Sequence, residues 1–270
     1  MLKPTEGLPM SQSNRISNAT FDCLRNELKP LVGIQFRILS LPLKALKAFE
    51  PSQVGTIVGT LMDASIPDLD DIPQVGLTKH EGILGDREGY SDYRHRSGLR
   101  VELKLLYIDN PTLEMKRPPT RREPSARLTQ KVTVKNVNPA TDAMLLIAYR
   151  LEPQPDNPSL VSPTIFDFEV FSMIELVEAR DQRLLACGGR WFGDYETLTI
   201  LSKAGRAKMR AGLPLDPTSY GRKESEGKDY NEDTNFGKLQ RIPQAALSAF
   251  LRKAKQAALS APVADRGRGS

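Results

Sequence analysis

The stretch from Asp142 to Leu151 constrains this chain more than any other. Inside it, Ala143-Met144-Leu145-Leu146-Ile147-Ala148 is apolar without interruption. A short apolar run of this kind reads as a strand buried on both faces, and that requires a sheet covered on both sides. It is far shorter than the ~20 residues needed to cross a bilayer. The chain therefore reads as an α/β protein with helices packed on a mixed sheet. With 270 residues, 39% of them hydrophobic, it is long enough to bury a sizeable core.

The remaining segments can be placed around that strand. Residues 1–50 read as a polar leader followed by a largely helical segment, in which Leu41 to Phe49 has apolar residues at helical spacing. Pro51 starts a second helix, with Val54, Ile57, Val58 and Leu61 on one stripe. Three strands follow, at Val75–Leu84, Glu88–Arg94 and Leu99–Ile108. Gly98 supplies the turn between the last two. A Pro-rich loop, Pro111–Pro124, leads to a helix expected at Ser125–Val137 and then to the apolar strand. From 51 to 151 the expected order is α-β-β-β-α-β. A strand at Ile165–Val170, a helix at Phe171–Leu185 and a short strand at Thr197–Leu201 complete a core spanning 51–202. Residues 203–257 read as a C-terminal region ending in an amphipathic helix, Leu239–Ala257, and 258–270 as a disordered tail.

Chemistry concentrates on the third strand, Leu99-Arg100-Val101-Glu102-Leu103-Lys104-Leu105-Leu106-Tyr107. Side chains alternate across a strand, so Val101, Leu103, Leu105 and Tyr107 face a core while Glu102 and Lys104 share the other face. The hairpin brings Asp92 beside Glu102. Two adjacent carboxylates repel and lose solvation, and a hard divalent cation with oxygen ligands offsets that cost. The backbone carbonyl of Leu103 is a natural further ligand. Glu-x-Lys also occurs at Glu114 and Glu226, but only Glu102 combines apolar alternation with an upstream aspartate at hairpin distance.

Asp92-x9-Glu102-Leu103-Lys104 on the second and third strands of such a core resembles the PD-(D/E)xK nuclease superfamily, the restriction-endonuclease-like fold. The resemblance covers about residues 51–151 and departs at Ser91, where the pattern has proline. It implies that Asp92 and Glu102 bind Mg²⁺ and that Lys104 assists the attacking water. It also implies a polar residue on the helix after the third strand, Gln130 or Lys131, and a further acid from the preceding helix, Asp63 or Glu50. The size of the chain resembles that of a sequence-specific type II restriction endonuclease. That implies double-stranded DNA as substrate, a homodimer and a companion DNA methyltransferase. Two other readings stay open, a structure-specific or defence nuclease on branched DNA or RNA and a non-catalytic nucleic-acid-binding protein.

Nucleic-acid contacts are expected from His95 beside the turn, from Arg117, Arg121 and Arg122, and from Arg222, Lys223, Asn235 and Lys238. Cations neutralise phosphates and amides read base edges. A net charge of +5 permits a polyanionic partner without requiring one. His80 with Glu81 is a weaker metal pair. Cys23 and Cys187 form no Cys-x-x-Cys, so they imply neither a thiolate zinc site nor a disulfide framework. Walker A, Rossmann and nucleophile-elbow patterns do not occur. The N-terminus has no apolar signal region, so a cytoplasmic location is expected.

Overall fold

The computed structural model describes residues 15–67, 75–80, 91–113, 115, 126–128, 132–134, 137–186, 190–191, 198–199, 203–216, 219 and 237–259. Its helices are α1 (Asn18–Leu28), α2 (Pro51–Ser65), α3 (Met173–Ala186), α4 (Lys203–Arg210) and α5 (Ala245–Leu259). Its strands are β1 (Leu41–Pro42), β2 (Leu77–Lys79), β3 (Tyr93–His95), β4 (Arg100–Tyr107), β5 (Asp142–Pro153), β6 (Leu160–Ser172), β7 (Arg190–Trp191) and β8 (Leu198–Thr199). The architecture is mixed α/β. Six strands form one sheet in the order β1-β6-β5-β4-β3-β2, and β7 pairs with β8 separately. β4 and β5 run parallel while every other pair is antiparallel.

β5 is the double-faced strand that its apolar run requires. Ala143, Leu145, Ile147, Tyr149 and Leu151 enter a core shared with α1 and α2. Met144, Leu146 and Ala148 enter a second core with α3 and α5. The parallel pairing of β4 and β5 starts at Arg100 and Asp142. There the Arg100 guanidinium grips the Asp142 carboxylate, with Nε 2.6 Å from Oδ1. Asp142 is fully buried and also accepts the Asn138 N–H and the Thr141 hydroxyl. Four donors satisfy a charge that burial alone would make costly.

Helix starts follow local chemistry. Ser17 caps α1 by accepting the Thr20 N–H at 3.1 Å. Pro51 opens α2 behind a capping box in which the Glu50 N–H donates to the Gln53 side chain at 3.0 Å. Glu50 is thereby spent at the helix start. Gly98 sits at φ +88 in the β3–β4 turn, a conformation that disfavours any side chain with a Cβ.

Three expectations need correction, the first being that the last helix starts at Ala245 and not at Leu239, since Leu239–Arg241 forms a separate 3₁₀ turn ahead of Pro243. The helix at Ser125–Val137 is not formed, because none of its described residues is helical. Instead Arg127 bridges Lys238, the Leu128 N–H donates to the Gly237 carbonyl at 2.8 Å and the Leu239 N–H to Ala126 at 3.0 Å. A Cβ on Gly237 would fall 2.5 Å from the Leu128 carbonyl oxygen, so glycine is what permits this approach. The branched Val132, Thr133, Val134 and Val137 are poor helix formers, and among the described residues only a single turn forms there, in which the Val137 N–H donates to the Thr133 carbonyl at 3.1 Å. The order is therefore α-β-β-β-β among the described residues, with no helix between β4 and β5. The run from Leu41 is also not one helix. Leu41–Pro42 joins the sheet against β6, and Leu43–Ala48 forms a 3₁₀ turn.

Candidate active site

The site forms where β3 leaves β4. β3 pairs only with Arg100 and Val101, so from Glu102 onward that edge of β4 has no strand partner among the described residues. Asp92 replaces the missing strand locally, its Oδ2 accepting the Leu103 N–H at 2.7 Å. The backbone of Leu103 thus faces the edge, and its carbonyl oxygen accepts Lys104 Nζ at 3.0 Å. The same ammonium lies 2.5 Å from Glu102 Oε1. Glu102 is only 5% exposed.

A cavity of ≈ 230 Å³ opens at this edge, lined by Gly59, Asp63, Asp92, Leu103, Lys104, Leu105 and Ala126. The structure thus brings Asp92, Leu103 and Lys104 of the expected set to one cavity, and Lys104 ties Glu102 to it. Burial pushes the Asp92 carboxyl above its ordinary value; the Lys104 charge and the Leu103 N–H oppose that shift, and the Asp63 charge adds to it. Burial likewise raises Glu102, with Lys104 opposing and Asp92 reinforcing.

Asp63 comes from the last turn of α2, but its oxygens are already engaged. Tyr93 donates its hydroxyl to Asp63 Oδ1 at 2.7 Å and also to the Asp63 carbonyl. Lys79 Nζ is 2.6 Å from Oδ2 and lies over the Tyr93 ring at 4.5 Å. This set ties α2 to β2 and β3 directly beside Asp92. Sequence reasoning singled out Asp63 but missed Lys79 and Tyr93. Only the strand register reveals them, since it pairs Lys79 with Tyr93.

Extending the same registers by one residue places His80, Asp92 and Glu102 in a row across three strands. The His80 N–H donates to the Asp92 carbonyl at 3.0 Å, and His80 Nδ1 is buried with no hydrogen-bond partner among the described residues. Its suggested companion Glu81 lies outside the described residues. Among those residues, no group of three or more His, Cys, Asp or Glu side chains is arranged to hold a metal ion. A cation at this edge would draw on two carboxylates, the Leu103 carbonyl and oxygens of water or substrate.

The structure does not bring His95 to the cavity. Its ring is buried, with Nε2 2.9 Å from Glu27 Oε2 of α1 and Nδ1 2.7 Å from Ser97 Oγ. The ring pins the hairpin to α1. Lys238 does not line the cavity; its backbone bridges Arg127, the chain neighbour of the lining residue Ala126. Arg117, Arg121, Arg122, Gln130, Lys131, Arg222, Lys223 and Asn235 lie outside the described residues. No described helix is long and apolar enough to cross a membrane. No protein-family model matches the chain, and comparison with curated proteins and with solved structures gave no significant match.

Proposed function

We propose that this chain is a Mg²⁺-dependent endonuclease that hydrolyses phosphodiester bonds of double-stranded DNA, with Asp92, Glu102 and Lys104 as its catalytic residues. The observation that carries the reading is the edge of β4 that no described strand covers beyond Val101. There the Asp92 carboxylate, the Leu103 carbonyl and the Lys104 ammonium line one cavity, and the ammonium holds the buried Glu102 carboxylate beside it. The donor set consists of hard oxygens whose charges burial disfavours, and it fits Mg²⁺. Asp92, Glu102 and the Leu103 carbonyl would hold the ion. When bound, Mg²⁺ supplies Lewis acidity toward a phosphoryl oxygen and lowers the pKa of water.

The rest of the chemistry falls to the chain itself. The Leu103 N–H fixes the orientation of the Asp92 carboxylate. Lys104 offers its ammonium to the phosphoryl oxygens, where negative charge grows in the transition state. Leu105 and Ala126 give the cavity apolar walls, which strengthens each of these interactions. A restriction-endonuclease-like core belongs to the same proposal. The sequence of α2, the β2–β3–β4 meander and then β5 supports it, while the helix-free described crossover departs from it. Sequence-specific cutting by a homodimer, with a companion methyltransferase protecting the host DNA, completes the reading.

Digestion of a plasmid and phage DNA panel with Mg²⁺ or EDTA, beside Glu102→Ala and Lys104→Ala, tests it. Discrete Mg²⁺-dependent fragments, reduced at least ~10³-fold in both variants, are expected. Cutting that survives in both variants refutes this site. Cleavage confined to branched DNA or RNA refutes the substrate assignment.

A further inference from the structure

Resting on the metal-dependent reading above, we propose that the Lys104 ammonium is the resident occupant of the cation seat, so that metal entry and delivery of Lys104 to the substrate are one exchange. Nζ lies 2.5 Å from Glu102 Oε1 and 3.0 Å from the Leu103 carbonyl. These are two of the three oxygens assigned to the metal. Residues i and i+2 share a strand face, so contact between Lys104 and Glu102 follows from β4 itself. Contact with the Leu103 carbonyl does not. It requires the side chain to fold back toward the strand edge, and that places the charge between the two oxygens.

Burial makes the occupancy necessary. Glu102 is almost wholly withdrawn from solvent, so its charge needs a counter-ion in every state of the protein. Without metal, that counter-ion is Lys104. A divalent cation at the same oxygens repels the ammonium and takes over its role. The displaced lysine has a flexible four-carbon stem, and its side chain already lines the adjoining cavity. That cavity is where a phosphate would lie. The exchange therefore moves a positive charge from the carboxylate to the substrate position, and no covalent bond changes.

Lys79 is the control, because its charge acts on Asp92 while its ammonium is held by Asp63, away from Glu102. Mn²⁺ affinity is measured by loss of the free-ion EPR signal near neutral pH, in wild type, Lys104→Met, Lys104→Gln and Lys79→Met. Circular dichroism confirms that each variant is folded. Removing the competitor should tighten Mn²⁺ binding by about tenfold in Lys104→Met. Lys104→Gln, which keeps a donor without the charge, should show a similar gain. Lys79→Met should change affinity much less. Equal gains in Lys79→Met and Lys104→Met would reduce the effect to general charge removal and overturn the exchange. Wild-type binding that is unchanged or weakened in both Lys104 variants would overturn the exchange and leave the metal site standing. Absence of binding in all four proteins would remove the metal site and the exchange together.

Discussion

At the scale of single residues, Asp92 and Glu102 carry a conflict between burial and charge. Their ordinary values are 3.8 and 4.5, and burial raises both. A carboxyl whose pKa rises on folding contributes stability that is complete below its unfolded value and is lost as pH climbs through the folded value. In EDTA, this pair therefore costs the protein stability as pH rises above the ordinary carboxylate range. On the proposed reading Mg²⁺ would bind the deprotonated pair, offsetting the loss with an effect that grows with pH. We expect the Mg²⁺-induced rise in Tm to be larger at about pH 8 than at about pH 5. The double substitution Asp92→Asn with Glu102→Gln should abolish the difference. Scanning fluorimetry at the two pH values checks this, and a Mg²⁺ effect that persists in the double variant excludes these residues as the ligands.

At the scale of elements, the Arg100–Asp142 clamp sets the register in which β4 and β5 run parallel. Asp142 gathers four donors at full burial, so Asp142→Ala removes the acceptor they share. It should destabilise the fold by about 3–5 kcal/mol, as read from urea midpoints. A cost below about 1 kcal/mol would show that packing alone fixes the register. The sequence made β4 and β5 legible through two direct signals. Alternation from Val101 to Tyr107 separated a core face from the Glu102–Lys104 face, and the unbroken run at Ala143 demanded burial on both sides. Where partners were distant the signal failed. His95 looked like a turn residue because Glu27, which buries it, lies on α1. Residues 126–128 pair with 237–239, and no local pattern announces such a bridge. Lys79 and Tyr93 belong to the site's surroundings only through Asp63, which belongs to another element.

At the scale of the whole molecule, the sheet divides two cores, and each depends on a chain end. Phe21, Leu24, Leu28, Leu31, Phe36 and Leu46 all enter the core beneath α2. Deleting residues 1–50 should therefore leave an expanded, ANS-binding chain without cooperative unfolding. A sharp melting transition in that truncation would make the N-terminal segment dispensable. The second core closes only when Leu247, Phe250 and Ala254 of α5 dock on it. β1 carries a consequence for how the protein is made. Leu41 finds its partner in Val161, about 120 residues later in the chain. At ~5–20 residues per second of synthesis, the early segment waits roughly 6 to 24 seconds on the ribosome before its strand exists to pair with. Through that interval the core around α1 lacks the β5 and β6 residues that complete it. The nascent chain thus exposes, for seconds, apolar surface that the finished fold covers.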